Sequence, residues 1–217
     1  IPSIELQGYE ADDLIAAYTH AATQSGAPVS IVSSDKDLMQ LVTDRVNMID
    51  TMKDRKIGPA EVLEKFEVGP ERVIDVQSLA GDSVDNVPGV PGIGIKTAAL
   101  LINEYGDLET LLERAGEIKQ NKRRENLIEF AEQARISREL VTLRTDTPLP
   151  VDMSEMGLIP PEAGMLMGFL KAMEFNTLTR RVSKRYDINA DDYEASPDLA
   201  AKPTAISSSS ATEKATS

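Results

Sequence analysis

Residues 86–102 constrain the fold of this chain more than any other segment does. The first nine of these residues include two prolines and three glycines. Proline fixes its own φ angle and lacks a backbone donor, and glycine adopts backbone conformations that other residues avoid, so the chain must turn sharply here. Lys96 then opens a strongly apolar stretch that predicts a helix. In this helix, Ala98, Ala99 and Leu101 would pack against the helix that precedes the turn.

The same segment has the pattern of a helix-hairpin-helix. Gly92 and Gly94 flank Ile93, where glycine lets the backbone approach a phosphate closely. The free N–H groups at the start of the next helix offer an anion site, and Lys96 adds positive charge. Such a hairpin grips a DNA backbone without reading bases, although a plain Gly-Pro turn between helices is the alternative. The predicted DNA contacts are Gly89, Val90, Gly92, Ile93, Gly94, Lys96 and Thr97.

Helices and strands alternate in the residues before this turn. Apolar periodicity predicts a helix over residues 9–24, and β-branched runs predict strands over residues 29–32 and 46–52. Further helices are expected from Pro59 and over residues 70–81. This alternation indicates an α/β layer with parallel strands. The buried face of the first helix would consist of Leu14, Ile15, Tyr18 and Ala22.

The charge of the chain argues at first against a nucleic-acid partner. The formal net charge is −13 and the isoelectric point is about 4.6, whereas such binders usually carry a basic surface. The objection weakens if the acids are clustered, because clustered carboxylates hold divalent cations that reverse the local charge. Three acidic groups stand out: Glu10, Asp12 and Asp13; Asp35 and Asp37; and Asp82 and Asp85.

Each acidic group also has a simpler interpretation. The first group opens a helix, where the helix dipole favours negative charge, and the second group could be ordinary loop acids. The third group is harder to explain, because the dipole disfavours negative charge near the end of a helix. Its spacing of three would place both acids on one side if the helix continued. An arrangement that costs stability suggests a function.

The expected fold brings at least two of these groups together. Ligands of open α/β sheets bind beyond the carboxyl ends of the strands, where the second group lies and where the first helix would begin. Carboxylates without cysteine, and with a single histidine in the chain, suit Mg²⁺ or Mn²⁺. Seven carboxylates exceed the need of one ion, which favours two ions about 4 Å apart. Such a pair activates a water and stabilises the leaving oxygen of a phosphodiester.

Taken together, the motifs closely resemble the 5′–3′ exonuclease domains of bacterial DNA polymerase I. The segments that carry the resemblance are Gly8-Tyr-Glu-Ala-Asp-Asp13, Ser34-Asp-Lys-Asp37 and residues 81–94, followed by residues 171–178 as a closing segment. The resemblance extends over residues 1–187. It implies a partial parallel-sheet nuclease core of the PIN-like type in residues 1–85, and a helix-hairpin-helix (H3TH) and helical region in residues 86–187. Residues 188–217 are poor in large apolar side chains, which predicts a disordered linker.

The resemblance also implies the chemistry and the partners. The seven carboxylates named above would be the catalytic residues and would hold the two divalent metal ions, while a K⁺ ion often binds family members at the segment matching residues 87–97. The expected substrates are DNA with a 5′ flap or nick and RNA primers on DNA. Polymerase and proofreading domains are expected in the same parent chain.

Family members carry a further portion before the first of these motifs. It supplies another metal-binding aspartate and a helical arch that threads the 5′ end. We therefore expect this chain on its own to bind metal weakly and to cleave DNA poorly. Strong flap cleavage by the purified chain would contradict that expectation.

Two alternatives stay open. One is an RNA-cleaving nuclease of the related PIN-like fold, against which the hairpin argues because it grips duplex DNA. The other is a non-catalytic module that binds DNA structures, for which Mg²⁺ would change neither binding nor stability. The absence of cysteine and of any long apolar run fits a reducing cytoplasm and no membrane partner, and the resemblance implies a bacterial cytoplasmic protein associated with the nucleoid.

Overall fold

The computed structural model describes residues 2–200, which fall into two compact units. Residues 6–149 form one unit, and residues 150–200 are grouped with the residues before position 6 in the other. No helix within residues 2–200 is long and apolar enough to cross a membrane.

The unit of residues 6–149 is a small sheet with helices around it. In chain order its elements are α1 (Ala11–Gln24), β1 (Val29–Val32), β2 (Val46–Asp50), β3 (Arg55–Ile57), α2 (Pro59–Phe66), α3 (Val73–Ala80), α4 (Ile95–Tyr105), α5 (Leu108–Glu113), α6 (Asn121–Glu129) and α7 (Ala131–Val141). Short 3-10 turns occupy Asp37–Leu41, Pro70–Arg72 and Ala115–Glu117.

The sheet has the strand order β1-β2-β3 and is mixed. Strands β1 and β2 are parallel, with Val29 opposite Val46, which confirms the predicted parallel pair. Strand β3 runs antiparallel to β2, with Met48 opposite Ile57. We predicted no third strand. Its first two residues are charged and exposed and only Ile57 is buried, so it lacks the apolar alternation that identifies a strand.

The helix boundaries follow local signals. Helix α1 begins two residues later than predicted, because Glu10 has extended backbone and serves as the N-cap. Helix α2 begins at Pro59, as predicted, and the Glu61 carboxylate accepts a hydrogen bond from Gly58 N at 2.7 Å. Helix α3 ends at Ala80, because Gly81 has a φ of +70°.

One hydrophobic core joins the sheet to the helices. It includes the fully buried side chains of Leu38 in the 3-10 turn, Met48 in β2, Phe66 in α2 and Leu79 in α3. The core then continues without interruption through α4, α5 and α6, and it runs across position 85. The buried side of α1 differs from the prediction and consists of Leu14, Ala16, Ala17 and Thr19.

The second unit contains α8 (Ala163–Ala172), α9 (Asn176–Tyr186) and α10 (Pro197–Ala200), with 3-10 turns at Met153–Glu155 and Ala190–Asp192. Its tail is tied back to α8, since Ser196 N donates to Gly168 O at 3.0 Å and Lys171 Nζ to Tyr193 O at 2.6 Å. We expected residues 188–217 to be disordered, which is wrong for residues 190–200. Residues 201–217 of that segment lie outside the described part.

Candidate metal centre and DNA hairpin

The start of α1 and the loop after β1 bring two acidic groups together. Asp12 lies in the first turn of α1. Burial raises the pKa of Asp12, and the nearby negative charges of Asp35, Asp37, Glu10 and Asp13 raise it further. Like charges within reach of one another favour the neutral form. The first two acidic groups therefore share one site, as the sheet topology predicted.

Asp13 has a structural role in addition to its position in the site. Its Oδ2 accepts a hydrogen bond from Glu10 N at 3.4 Å, which ties it to the N-cap of α1. Its Oδ1 accepts from Arg144 N at 2.9 Å, and the Arg144 guanidinium lies 5.1 Å from the centre of the Tyr9 ring. Part of the simpler capping interpretation thus holds for Asp13.

The second group sits in a turn that its own side chains close. Asp35 N donates to Ser33 Oγ at 3.1 Å, and Asp37 N donates to Asp35 Oδ1 at 3.0 Å. From α3, the side-chain amide of Gln77 donates to Asp37 Oδ1. Gln77 is only 4% exposed, and its Oε1 has no hydrogen-bond partner among the described residues. Helix α3 thereby fixes the orientation of Asp37.

The third group lies in a loop after α3 and not on a continued helix. Asp82 N donates to Val87 O at 2.8 Å, and Val87 N donates to Asp82 O at 2.7 Å, which closes residues 82–87 into a loop. Asp82 Oδ1 accepts from Val84 N at 2.8 Å, and Asp85 lies on the exposed part of the same loop. Helix α3 ends at Ala80, so both acids lie beyond its last turn.

Lys36 joins the second group to the third. Its ammonium forms an ion pair and hydrogen bond with Asp82, and it lies 3.6 Å from Asp37 Oδ1 and 3.9 Å from Asp85 Oδ2. This contact holds the pKa of Asp82 below its usual range. The three acidic groups, which we call the acidic cluster, are thus assembled from α1, the loop after β1 and the loop after α3.

The acidic cluster fits a site for hard cations. Its side chains offer only carboxylate oxygens, which Mg²⁺ and Mn²⁺ prefer. The Lys36 ammonium, held among three carboxylates, shows that this side of the cluster accommodates a cation. Within residues 2–200, no three acids or histidines converge on one point at ligand distances. A metal ion would have to draw the carboxylates inward.

The turn before α4 is closed by a contact between backbones. Gly81 and Gly89 have φ angles of +70° and +61°. A Cβ on Gly89 would lie 2.5 Å from Gly81 N and 2.7 Å from Ala80 C, so only glycine fits at this position. Val90 N donates to Leu79 O at 2.7 Å across the same contact. The acidic loop of residues 82–87 and the hairpin of residues 89–94 therefore both begin at this backbone contact between Gly81 and Gly89, which we call the closed base.

Helices α6 and α7 support the hairpin from behind. Gly89 N donates to Ser137 Oγ at 3.0 Å, and Gln133 Nε2 donates to Gly89 O at 2.6 Å. Asn126 Nδ2 donates to Pro91 O at 2.7 Å. Side chains of two helices thus take up the backbone groups that a tight turn leaves unpaired.

The predicted DNA contacts divide into two kinds. Val90 and Ile93 are buried, at 3% and 4% exposure, so their side chains anchor the hairpin in the core. Gly92, Gly94 and Lys96 are exposed. Gly94 is the N-cap of α4 and has no side-chain cap, which leaves the first N–H groups of α4 available to an anion. Thr97 is half-buried in the first turn of α4, and Gly89 is buried at the base.

Sequence reasoning missed three residues of the site: Lys36, Gln77 and Arg144. Their contacts join residues 40 to 131 positions apart, which no local pattern reveals. Two signals were present. Lys36 is a lone cation between two acids, and Gln77 is an amide in a helix that is mostly apolar.

Comparison with known proteins identifies both halves of the larger unit. Residues 1–67 match the model of the 5′-3′ exonuclease N-terminal resolvase-like domain, and residues 68–163 match that of the 5′-3′ exonuclease C-terminal SAM fold. DNA polymerase I of Rhizobium leguminosarum is 58% identical over 89% of this chain. A 5′-3′ exonuclease of Aquifex aeolicus is 36% identical over 85% of it.

A solved structure shares the fold. The bacteriophage T5 D15 flap endonuclease, in a pseudo-enzyme-product complex with DNA and metal ions, superposes with a TM-score of 0.60 at 27% identity, over 64% of this chain and 51% of that one. The chain spans 19% of the length of the Rhizobium relative and 62% of the Aquifex relative.

Proposed function

The chain belongs to the 5′-3′ exonuclease family, and from that premise we propose that it acts as a metal-dependent 5′ nuclease on duplex DNA. The proposed substrates are DNA with a 5′ flap or nick and RNA primers paired with DNA. By the same reasoning, its polymerase I relatives support a role beside polymerase and proofreading domains in one parent chain. Its cytoplasmic, nucleoid-associated location stays a prediction.

One observation carries this proposal: the acidic loop with Asp82 and Asp85 and the hairpin share a single closed base. Gly81 and Gly89 meet backbone to backbone, with Asp82 directly after the first and the exposed hairpin directly after the second. A phosphate backbone gripped at the exposed glycines and at the start of α4 would thus be held at a fixed position relative to the carboxylates. That arrangement suits hydrolysis of a phosphodiester at a defined place in a duplex.

The residues of the chain have distinct roles in this proposal. Glu10, Asp12, Asp13 and Asp35 would hold one divalent ion, and Asp37, Asp82 and Asp85 the other, with Asp35 near both. When bound, the ions supply an activated water and stabilise the leaving oxygen. Gln77 orients Asp37, and Lys96 with the N–H groups at the start of α4 neutralises phosphate charge.

A K⁺ ion at the hairpin is part of the proposal. The carbonyls of Gly89, Val90 and Pro91 each accept one hydrogen bond, and a carbonyl has a second lone pair. These carbonyls could therefore contribute to a site for a monovalent cation that faces a DNA phosphate.

Binding to three nucleic acids tests the proposal: a 5′-flap duplex, the same duplex without a flap, and single-stranded RNA. Binding would be measured in Ca²⁺ and in EDTA, for the chain as given and for Asp82→Ala. We expect the flap duplex to bind most tightly, with Ca²⁺ strengthening binding only while Asp82 is intact. Preference for RNA would support the ribonuclease alternative.

Binding that ignores both the metal and Asp82 would support the non-catalytic alternative and contradict the proposal. Cleavage in Mn²⁺ is a second measurement on the same substrates. The decision rests on metal-dependent recognition of the flap.

A further inference from the structure

We propose that the Lys36 ammonium occupies the place of one of the two metal ions, and that this ion binds only by displacing it. The inference rests on the proposed function, since it concerns the same acidic cluster. It assigns to Lys36 the role of a built-in competitor for one metal site and not for the other.

The contacts of Lys36 define the place. Its Nζ bonds to Asp82 and lies within 4 Å of Asp37 and Asp85. These carboxylates come from two segments of the chain, and they are the three that would hold the second ion. One ammonium thus lies at the point where oxygens from both segments meet.

The Lys36 ammonium and the metal ion cannot occupy this place at the same time, because of both their charge and the space available. Mg²⁺ binds oxygens at about 2.0–2.1 Å and needs the carboxylates drawn tightly around it. An ammonium among the same oxygens blocks that approach and repels the incoming ion. Three carboxylates with one ammonium leave two negative charges, which still attract a divalent ion. Binding is therefore possible, but it is weakened by the ion pairs that must break.

Lys36 is free to leave. Its side chain is 30% exposed, and its stem is four flexible methylene groups. Arginine at this position could form the same ion pairs and would retain the positive charge, so Lys36→Arg would preserve the competition. The charge, and not the length of the stem, is what competes.

The competition is confined to one half of the cluster. Among residues 2–200, no lysine or arginine forms an ion pair with Glu10, Asp12 or Asp35. The ion held by that half therefore has no such competitor. The two ions should differ in how they respond to a change at Lys36.

Mn²⁺ binding to four proteins tests this inference: the chain as given, Lys36→Met, Lys36→Arg and the control Lys122→Met, which removes an equal charge at an exposed position of α6. Free Mn²⁺ would be followed by electron paramagnetic resonance. We expect Lys36→Met to bind one of its ions about twofold to fivefold more tightly, as loss of a partly exposed ion pair allows. The other ion, Lys36→Arg and Lys122→Met should bind as the chain as given does.

A second measurement needs no variant. Acetylation of lysine side chains by a small reagent would be followed by mass spectrometry with and without Mg²⁺. Mg²⁺ should raise the modification rate of Lys36 several-fold, because the ammonium leaves its ion pairs. Lys53, which is 75% exposed, serves as the internal control and should not change.

Unchanged or weaker Mn²⁺ binding in folded Lys36→Met, or a Lys36 acetylation rate that ignores Mg²⁺ while the ion binds, overturns the inference and leaves the metal centre standing. Failure of Mn²⁺ to bind any of the four proteins overturns both the inference and the proposed metal centre.

Discussion

In the hairpin of residues 89–94 the backbone groups of Gly89, Val90 and Pro91 are paired with partners from α3, α6 and α7, whereas the acidic cluster places a partly buried carboxylate, Asp12, among other carboxylates. Gly89 alone exchanges hydrogen bonds with Ser137 and Gln133. By contrast, burial raises the pKa of Asp12, and four surrounding acids raise it further. The hairpin and the acidic cluster thus differ in how their polar groups are compensated. Hydrogen bonds stabilise the hairpin, whereas repulsion between like charges opposes the assembly of the acidic cluster.

The difference separates stability from function in a way that can be measured. Changes behind the hairpin should lower the free energy of unfolding. Changes in the cluster should leave that free energy nearly unchanged, or raise it, while they weaken metal binding. Stability that is lost at functional sites in this manner is a recurring property of proteins.

Gly89→Ala should have the largest effect on stability. Its φ of +61° and the 2.5 Å approach to Gly81 N leave no room for a methyl group. We expect the free energy of unfolding in urea to fall by about 3 kcal/mol or more. Gly94→Ala is the matched control, since its Cβ meets nothing within 4 Å and its φ is −99°. Equal effects of the two variants would mean that the closed base is not what stabilises the hairpin.

Ser137→Ala tests the support from α7. The change leaves the buried Gly89 N–H without its acceptor, which should lower the free energy of unfolding by about 1–3 kcal/mol. The control Thr142→Val removes a hydroxyl that bonds Arg138 O on the exposed end of the same helix, and it should change little. A loss confined to Thr142→Val would argue against a buttressing role for α7.

Gln77→Leu should weaken metal binding without lowering stability, unlike the changes at the hairpin. It removes a buried carbonyl oxygen that lacks a partner, so the free energy of unfolding should stay constant or rise by up to about 1 kcal/mol. Asp37 loses its donor at the same time, and Mn²⁺ affinity should fall about tenfold. Calorimetry would report both quantities. Asn103→Leu, which removes an exposed amide bonded to Glu67 O, should leave Mn²⁺ affinity unchanged.

Asp75 gives the smallest and most specific test, because it is buried without being crowded by other acids. Burial raises the pKa of Asp75, against the hydrogen bond from Leu108 N at 3.3 Å. The native state therefore holds the proton more tightly than the unfolded state. Its contribution to stability is present at low pH and is lost as the pH rises through the native pKa.

Asp75→Asn keeps an acceptor for Leu108 N and removes this titration. Urea unfolding would be measured from about pH 3 to about pH 7. The difference in free energy of unfolding between the two proteins should grow with pH, with a slope that corresponds to less than about one proton. A difference that does not vary with pH would show that burial of a carboxylate is not costly here.

Local sequence was sufficient to predict the elements that carry their own signals. The β-branched run Val29–Val32, the proline that opens α2 and the alanines of α4 each specify their structure within a few residues. Strand β3 was missed because only pairing with β2 makes a strand of its charged residues. Likewise, the small residues Ala16 and Ala17 gave no signal for the buried side of α1.

The candidate site was predictable in composition but not in geometry. Carboxylates after a strand and at a helix start indicated which acids would meet, and sheet topology brings Asp12 near Asp35. The end of α3 agrees with the predicted range of residues 70–81 to within one residue, but the closed loop of residues 82–87 that carries Asp82 and Asp85 was not predicted. Contacts such as that of Lys36 with Asp82 depend on tertiary packing, which the linear pattern does not contain.

The backbone contact between Gly81 and Gly89 would fix the distance between the hairpin and the acidic loop in the proposed nuclease. The separation between the phosphates held at the hairpin and the backbone that carries Asp82 and Asp85 would be set by main-chain atoms of one short connection. Side-chain substitutions would therefore change how fast DNA is cut without changing where. Only a residue inserted into or deleted from residues 82–94 would move the cut along the strand.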